Sequence, residues 1–192
     1  MAETATIKEI NGSPGTKTSL AGKVARFCFA DAVEPGLTYP CKIPSSGFNY
    51  AWAKTHFLSI TGDFNQVRDI YVYGDGNFAV DWGLDTGMVR IGKRDSGDNG
   101  LPLASYAQAT GTPGESGPGI DHPVNGHPYY KNQNIPCINF DLCTAQSPLL
   151  IDSGPYTDDF ESNAWVLDVK IPPTAVYGAK SPKSITVVYN IF

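Results

Sequence analysis

Asp75, Asn77, Asp81 and Asp85 bunch in one stretch of the chain and carry side-chain oxygens of the kind that bind calcium. Their spacing is not that of a helix–loop–helix calcium site, and no glutamate follows to close such a loop with two oxygens. Asp and Asn are also ordinary β-turn residues, and the turn reading is the simpler one. These four are the metal candidates of the sequence, and Asp158, Asp159 and Glu161 form a second acidic spot that reads as a solvated loop. His122 and His127 flank Pro123-Val124-Asn125-Gly126 and would suit a transition metal, with His56 able to join only through folding. Three histidines are a thin supply, and a turn explains the His-Pro pairs.

Gly74-Asp75-Gly76-Asn77-Phe78-Ala79 matches the dinucleotide-binding spacing G-x-G-x-x-A. That chemistry needs a helix N-terminus to follow and hold the pyrophosphate. Val80-Asp81-Trp82-Gly83 reads instead as strand and turn, so a hairpin is expected. No G-x-S-x-G elbow, H-E-x-x-H pair or phosphate-binding loop occurs. No pair among the 19 acidic residues is marked out for glycoside cleavage. The expectation is a protein that is not an enzyme, with no catalytic residue and no cofactor.

Cys28, Cys41, Cys137 and Cys143 lack the paired spacing of a zinc site. Disulfides Cys28–Cys41 and Cys137–Cys143 remain open on sequence, but free buried thiols are the default for a chain made in a cytosol. Cytosolic synthesis is expected because the first ten residues carry Glu3, Lys8 and Glu9 and no apolar run, so no signal peptide is visible. Without a secretory route, the glycosylation pattern Asn11-Gly12-Ser13 is chance. No apolar stretch is long enough for a membrane helix. A net charge of −5, with Lys and Arg scattered, gives no basic stripe for nucleic acid.

The elements that must position these residues are strands. Charged residues make up 17% of the chain, below the usual quarter or so, and 20 glycines with 15 prolines favour short strands and many turns. Residues 24–30 alternate, with Ala25, Phe27 and Phe29 on one face, and residues 56–61 place Leu58 and Ile60 together. Residues 67–73 are β-branched and aromatic, and Gly74–Asn77 turns the chain toward a partner strand at 78–82. Residues 88–93 form a further short strand. Residues 166–171 put Leu167, Val169 and Ile171 on one face and Asp168 and Lys170 on the other. Residues 185–192 are apolar on both faces, which predicts a strand covered twice, inside the fold or by a neighbour. Trp52, Trp82 and Trp165 read as core pieces with satisfied indole N–H groups, although exposed rings could build a sugar platform.

The only helical candidate is 102–109. Residues 111–136 hold five glycines and five prolines, and a loop of that length in a compact domain is usually functional or disordered. Residues 1–22 read as a turn-rich N-terminal arm, and 23–192 as one domain. The fold expected is all-β: an antiparallel β-sandwich, immunoglobulin-like or jelly-roll-like, with long Gly/Pro-rich loops. Ile120, Val124, Tyr129 and Tyr130 in the long loop, with Val188 and Phe192 in the last strand, are the candidate interface residues.

Two segments resemble structural proteins of tailed viruses of bacteria and archaea. One is Val67-Arg68-Asp69-Ile70-Tyr71-Val72-Tyr73-Gly74-Asp75-Gly76, followed by Trp82-Gly83 and Val89-Arg90-Ile91-Gly92. The other runs from Trp165 through Pro172-Pro173-Thr174-Ala175 and resumes at Ile185-Thr186-Val187-Val188-Tyr189-Asn190. In that group a strand, a corner (here Pro173 to Gly178) and a final strand close an immunoglobulin-like sandwich. The members usually end in an acidic dipeptide after the last Tyr, where this chain has Asn190-Ile191-Phe192. The resemblance implies a virion structural protein, a capsid decoration or cement protein or a tail component. Its partners would be other copies of itself and a major capsid or tail protein, with no nucleic acid or membrane contact. A carbohydrate- or host-surface-binding module on the same sandwich is the alternative.

Overall fold

Alternating side chains become a strand only where a second strand pairs the backbone and another layer covers one face. A computed structural model of the chain describes residues 2–11, 16–94 and 137–192. The helix expected at 102–109, His122, His127, and the interface candidates Ile120, Val124, Tyr129 and Tyr130 lie outside the described residues.

The strands are β1 (Thr4–Asn11), β2 (Thr16–Ser19), β3 (Asn49–Tyr50), β4 (Lys54–Thr61), β5 (Val67–Gly74) and β6 (Val89–Arg94). They continue with β7 (Ile138–Asn139), β8 (Leu149–Asp152), β9 (Phe160–Glu161), β10 (Ala164–Ile171) and β11 (Ile185–Ile191). One helical turn, α1 (Phe78–Asp81), follows β5. The main sheet runs β2-β1-β4-β10-β6-β7, with β3 on β10 and β9 on β4, and a small sheet runs β11-β5-β8. All pairings are antiparallel.

The two sheets bury one another. Val89 and Ile91 of β6 and Trp165, Leu167 and Val169 of β10 pack in one cluster with Val72 of β5, Ile151 of β8 and Phe78 of α1. Leu58 and Ile60 of β4 pack together against Val67 and Ile70 of β5, as their alternation predicts. The fold is all-β and sandwich-like. Val67 and Ile70 are three apart yet both buried, because the ladder shifts register beside Asp69, which takes a left-handed φ of 55°. The extra residue there restores the inward phase.

Several elements differ from expectation. Residues 1–22 are no arm: β1 lies between β2 and β4 in the main sheet, with Glu9 and Ile10 fully buried. Residues 24–30 form no strand. Their backbone is used singly, Cys28 C=O accepting from Trp52 N–H and Phe29 N–H donating to Tyr39 C=O. Their expected alternation does not hold, since Ala25 is exposed and Cys28 buried, while Phe27 rests on the main core and meets Trp82 edge-on at 5.9 Å. Asp168 is buried rather than solvated, so β10 is covered on both faces. The strand expected at 78–82 is α1, so the chain after Gly74 coils rather than returning along β5.

A close contact explains that coil. A Cβ on Gly74 would lie 2.4 Å from Phe78 Cε2 and 3.1 Å from Phe140 Cε1, so the two rings occupy the space of the missing side chain. Phe78 and Phe140 meet with centroids 4.9 Å apart and plug the sandwich at that end. Overpacking of this kind costs about 1–3 kcal/mol. Gly74→Ala should therefore lower stability by about 2 kcal/mol in urea unfolding, whereas Gly76→Ala, with open space around it, should act only through backbone strain and cost less.

Candidate functional site

Two of the four metal candidates are engaged by a lysine. Asp75 and Asp81 both bind Lys183, at 3.0 Å and 2.7 Å from its Nζ. The hydrogen bond to Asp81, with that to Asp75, holds the Lys183 ammonium above the ordinary lysine value despite its desolvation. Asp75 Oδ2 also accepts from Ser184 N–H, and Asp75 N–H donates to Ser184 C=O. The two carboxylates thus tie the segment before β11 onto the β5–α1 turn. Asn77 starts α1 with a left-handed φ of 55° and makes no side-chain cap, and Asp85 is exposed. No group of three metal-binding side chains occurs among the described residues.

A helical turn does follow the glycine-rich stretch, contrary to the strand expected there. It does not revive dinucleotide binding, because the Phe78 N–H donates to Asp141 Oδ1 at 2.7 Å. A carboxylate of the protein sits where a phosphate would have to sit. The preceding strand also belongs to an antiparallel sheet rather than a parallel βαβ unit.

Of the tryptophans, Trp165 is 1% exposed and belongs to the core. Trp82 donates its indole N–H to Ser181 C=O, but the buried indole N–H groups of Trp52 and Trp165 have no hydrogen-bond partner among the described residues. All four cysteines are free thiols. Burial, reinforced by Cys28 and Asp168, pushes the Cys41 thiol up to about 12, and burial pushes Cys143 up to about 11. Neither is a nucleophile at neutral pH.

A buried cluster of charge that the sequence motifs do not reveal joins β1 to β4. Glu9 on β1 is cross-strand neighbour to His56 on β4, which in turn neighbours Trp165 on β10. Lys54 Nζ lies 2.7 Å from Glu9 Oε1, and His56 Nε2 lies 3.4 Å from Glu9 Oε2. Asn11 Nδ2 donates to Glu9 Oε1 and to Asp31 Oδ1, and Lys54 Nζ also donates to Ala32 C=O. His56 stacks on Trp165 at 5.9 Å. Glu9, Lys54 and His56 are all buried. The signal was available: the alternation that joins Leu58 and Ile60 extends back to His56 and Lys54, placing an imidazole and an ammonium side chain on the core face.

Burial alone would raise the Glu9 pKa, but His56 and Lys54 outweigh it, and the carboxyl falls below its ordinary value of 4.5. The stabilisation this gives is complete above about pH 4.5 and is lost as pH falls through the lower folded value. Breaking a buried pair by removing one partner costs about 3–5 kcal/mol, whereas replacing both with apolar groups is often neutral. Glu9→Gln should thus destabilise by about that amount at pH 7, and Glu9→Leu with Lys54→Met should recover most of the loss. Urea titrations from pH 7 to pH 3 should show the wild type losing stability more steeply on acidification than the double variant.

Glu9, Lys54 and His56 are buried, and the exposed features lie elsewhere. On β5, Tyr71 and Tyr73 point away from the core, and Tyr71 stands between Val188 of β11 and Leu150 of β8 in register. Val188 and Leu150 are each 38% exposed, so an apolar row crosses the outer face of the small sheet. The strand expected to be covered twice is an edge strand, with Val188, Ile191 and Phe192 exposed. At its far end, Gly62, Asp63, Phe64, Asn65, Thr157, Asp158, Asp159, Ile191 and Phe192 line an open groove of about 860 Å³.

No family model matches this chain, and neither a curated protein nor a solved structure does.

Proposed function

We propose that this chain is a non-catalytic structural subunit of a virion, a capsid decoration or cement protein, which packs through the outer face of its small sheet. The observation that carries the reading is the in-register row Val188–Tyr71–Leu150. A sheet face turned to solvent is ordinarily polar. An exposed apolar row on a rigid sheet is what a protein neighbour covers. The resemblance noted in the sequence supports the class of assembly. Both resembling segments meet in this sheet and its neighbour, with β10 in the main sheet, the corner from Pro173 to Gly178, and β11 paired to β5. A tail component is the variant with the same physics. Other copies of the chain and a major capsid or tail protein are the partners.

The test is occupancy of particles. Purified particles from the source of this sequence should carry the chain at a fixed, stoichiometric copy number. Leu150→Lys, which places a charge in the row without touching the core, should lower rebinding to particles stripped of the chain by at least about tenfold. Particles that lack the chain, or rebinding unaffected by the substitution, would overturn the reading.

A further inference from the structure

The edges of the two sheets are unequal. β2, β7 and β8 are short, at four, two and four residues, and β2 carries Lys17. Short strands and lysines are the usual protection against edge-to-edge pairing. β11 is seven residues long, pairs only with β5 among the described residues, and has no charged side chain from Ile185 to Phe192. Its other side therefore offers a long ladder of backbone groups that no described strand pairs, with no charge to repel a second strand.

Charge is placed at the two ends instead, with opposite signs. Before β11 stand Lys180 and Lys183, of which Lys180 is exposed and donates only to Val176 C=O among the described residues. Beyond its end lies the groove with Asp63, Asp158 and Asp159. Asp158 accepts from Thr157 Oγ1 and Asp159 Oδ1 accepts from Gly62 N–H, and neither meets a cation among the described residues. An antiparallel pair of identical strands brings the start of each beside the end of the other. The basic start would meet the acidic end twice, once on each side of the axis.

We infer that the occupant of this edge is a second copy of the chain, its β11 antiparallel to the first about a two-fold axis near Val188. The inference rests on the structural-subunit reading and names one partner for the same sheet. Val188 is the midpoint of β11 and is exposed, so in the symmetric register it faces Val188 of the second copy. Ile185 then opposes Ile191 of the second copy, and Lys180 is carried toward its Asp158. An isologous contact of this kind closes on itself. The two small sheets become one sheet of six strands, and the rows Val188–Tyr71–Leu150 join into one apolar face.

The experiment is sedimentation velocity of the full chain across a concentration series, with circular dichroism to confirm folding of each variant. The wild type should show a monomer–dimer equilibrium that weakens as salt rises. Asp158→Lys and Lys180→Asp, both at exposed positions, should each weaken the dimer by about five- to tenfold, since the contact occurs twice. The two changes together should restore it to within about threefold of wild type. In addition, Val188→Cys should give a disulfide-linked dimer under mild oxidation, because directly paired strand positions come within disulfide reach. A wild type that stays monomeric, single reversals without effect, a double reversal that does not restore, or a Val188→Cys chain that does not cross-link would each overturn the pairing. Binding of such a monomer to particles would leave the structural-subunit reading standing, so the two failures are distinguishable.

Discussion

Glu9 has no access to water, and much of the architecture answers to its charge. An ionised carboxylate inside a protein must be paired and hydrogen-bonded or it will not stay ionised. Lys54, His56 and Asn11 supply those partners from β4 and from the end of β1. Because Glu9 and His56 are direct cross-strand neighbours, the contact also fixes the β1–β4 register. A slip of one residue would turn Glu9 to the opposite face and bring Ile10 to meet Lys54 and His56. The connection between β2 and β3 is held down by the same group, through Ala32 C=O and Asp31.

The inner face of the main sheet consequently has two zones. Where the small sheet lies over it, the side chains are Leu58, Ile60, Ile91 and Leu167. Where a loop lies over it, they are Glu9, Lys54 and His56. A loop brings backbone carbonyls and side chains that can satisfy charge, whereas a sheet brings only its apolar face. With the main sheet closed in this way, the small sheet keeps an outer apolar row and a long edge without a partner among the described residues. That asymmetry is why function is sought there.

The sequence made the strands legible where one period governed a whole run. Residues 56–61, 67–73, 88–93 and 166–171 all lie in or across β4, β5, β6 and β10, and the antiparallel sandwich follows from them. It misled at residues 24–30, where a local alternation found no pairing strand: Ala25 is exposed, Cys28 is buried, and Cys28 and Phe29 meet the rest of the chain at single backbone hydrogen bonds. It also misled at Gly74–Asn77, where turn residues open a helical turn because Phe78 fills the space above Gly74. Asp75 and Asp81 looked like ligands because their partner, Lys183, comes from a distant part of the chain. Val188 and Phe192 could be picked out because apolar residues on both faces of a strand are visible locally. Tyr71 and Leu150 could not, since their alignment with Val188 depends on which strands pair.

The most direct measurement is amide hydrogen exchange along β11, followed at low and at high protein concentration. Amides of β11 facing the free edge should exchange fast in dilute solution and slow markedly as concentration rises, while those of β1, paired on both sides, stay protected throughout. Exchange in β11 that is independent of concentration would contradict an edge made to be covered by another chain.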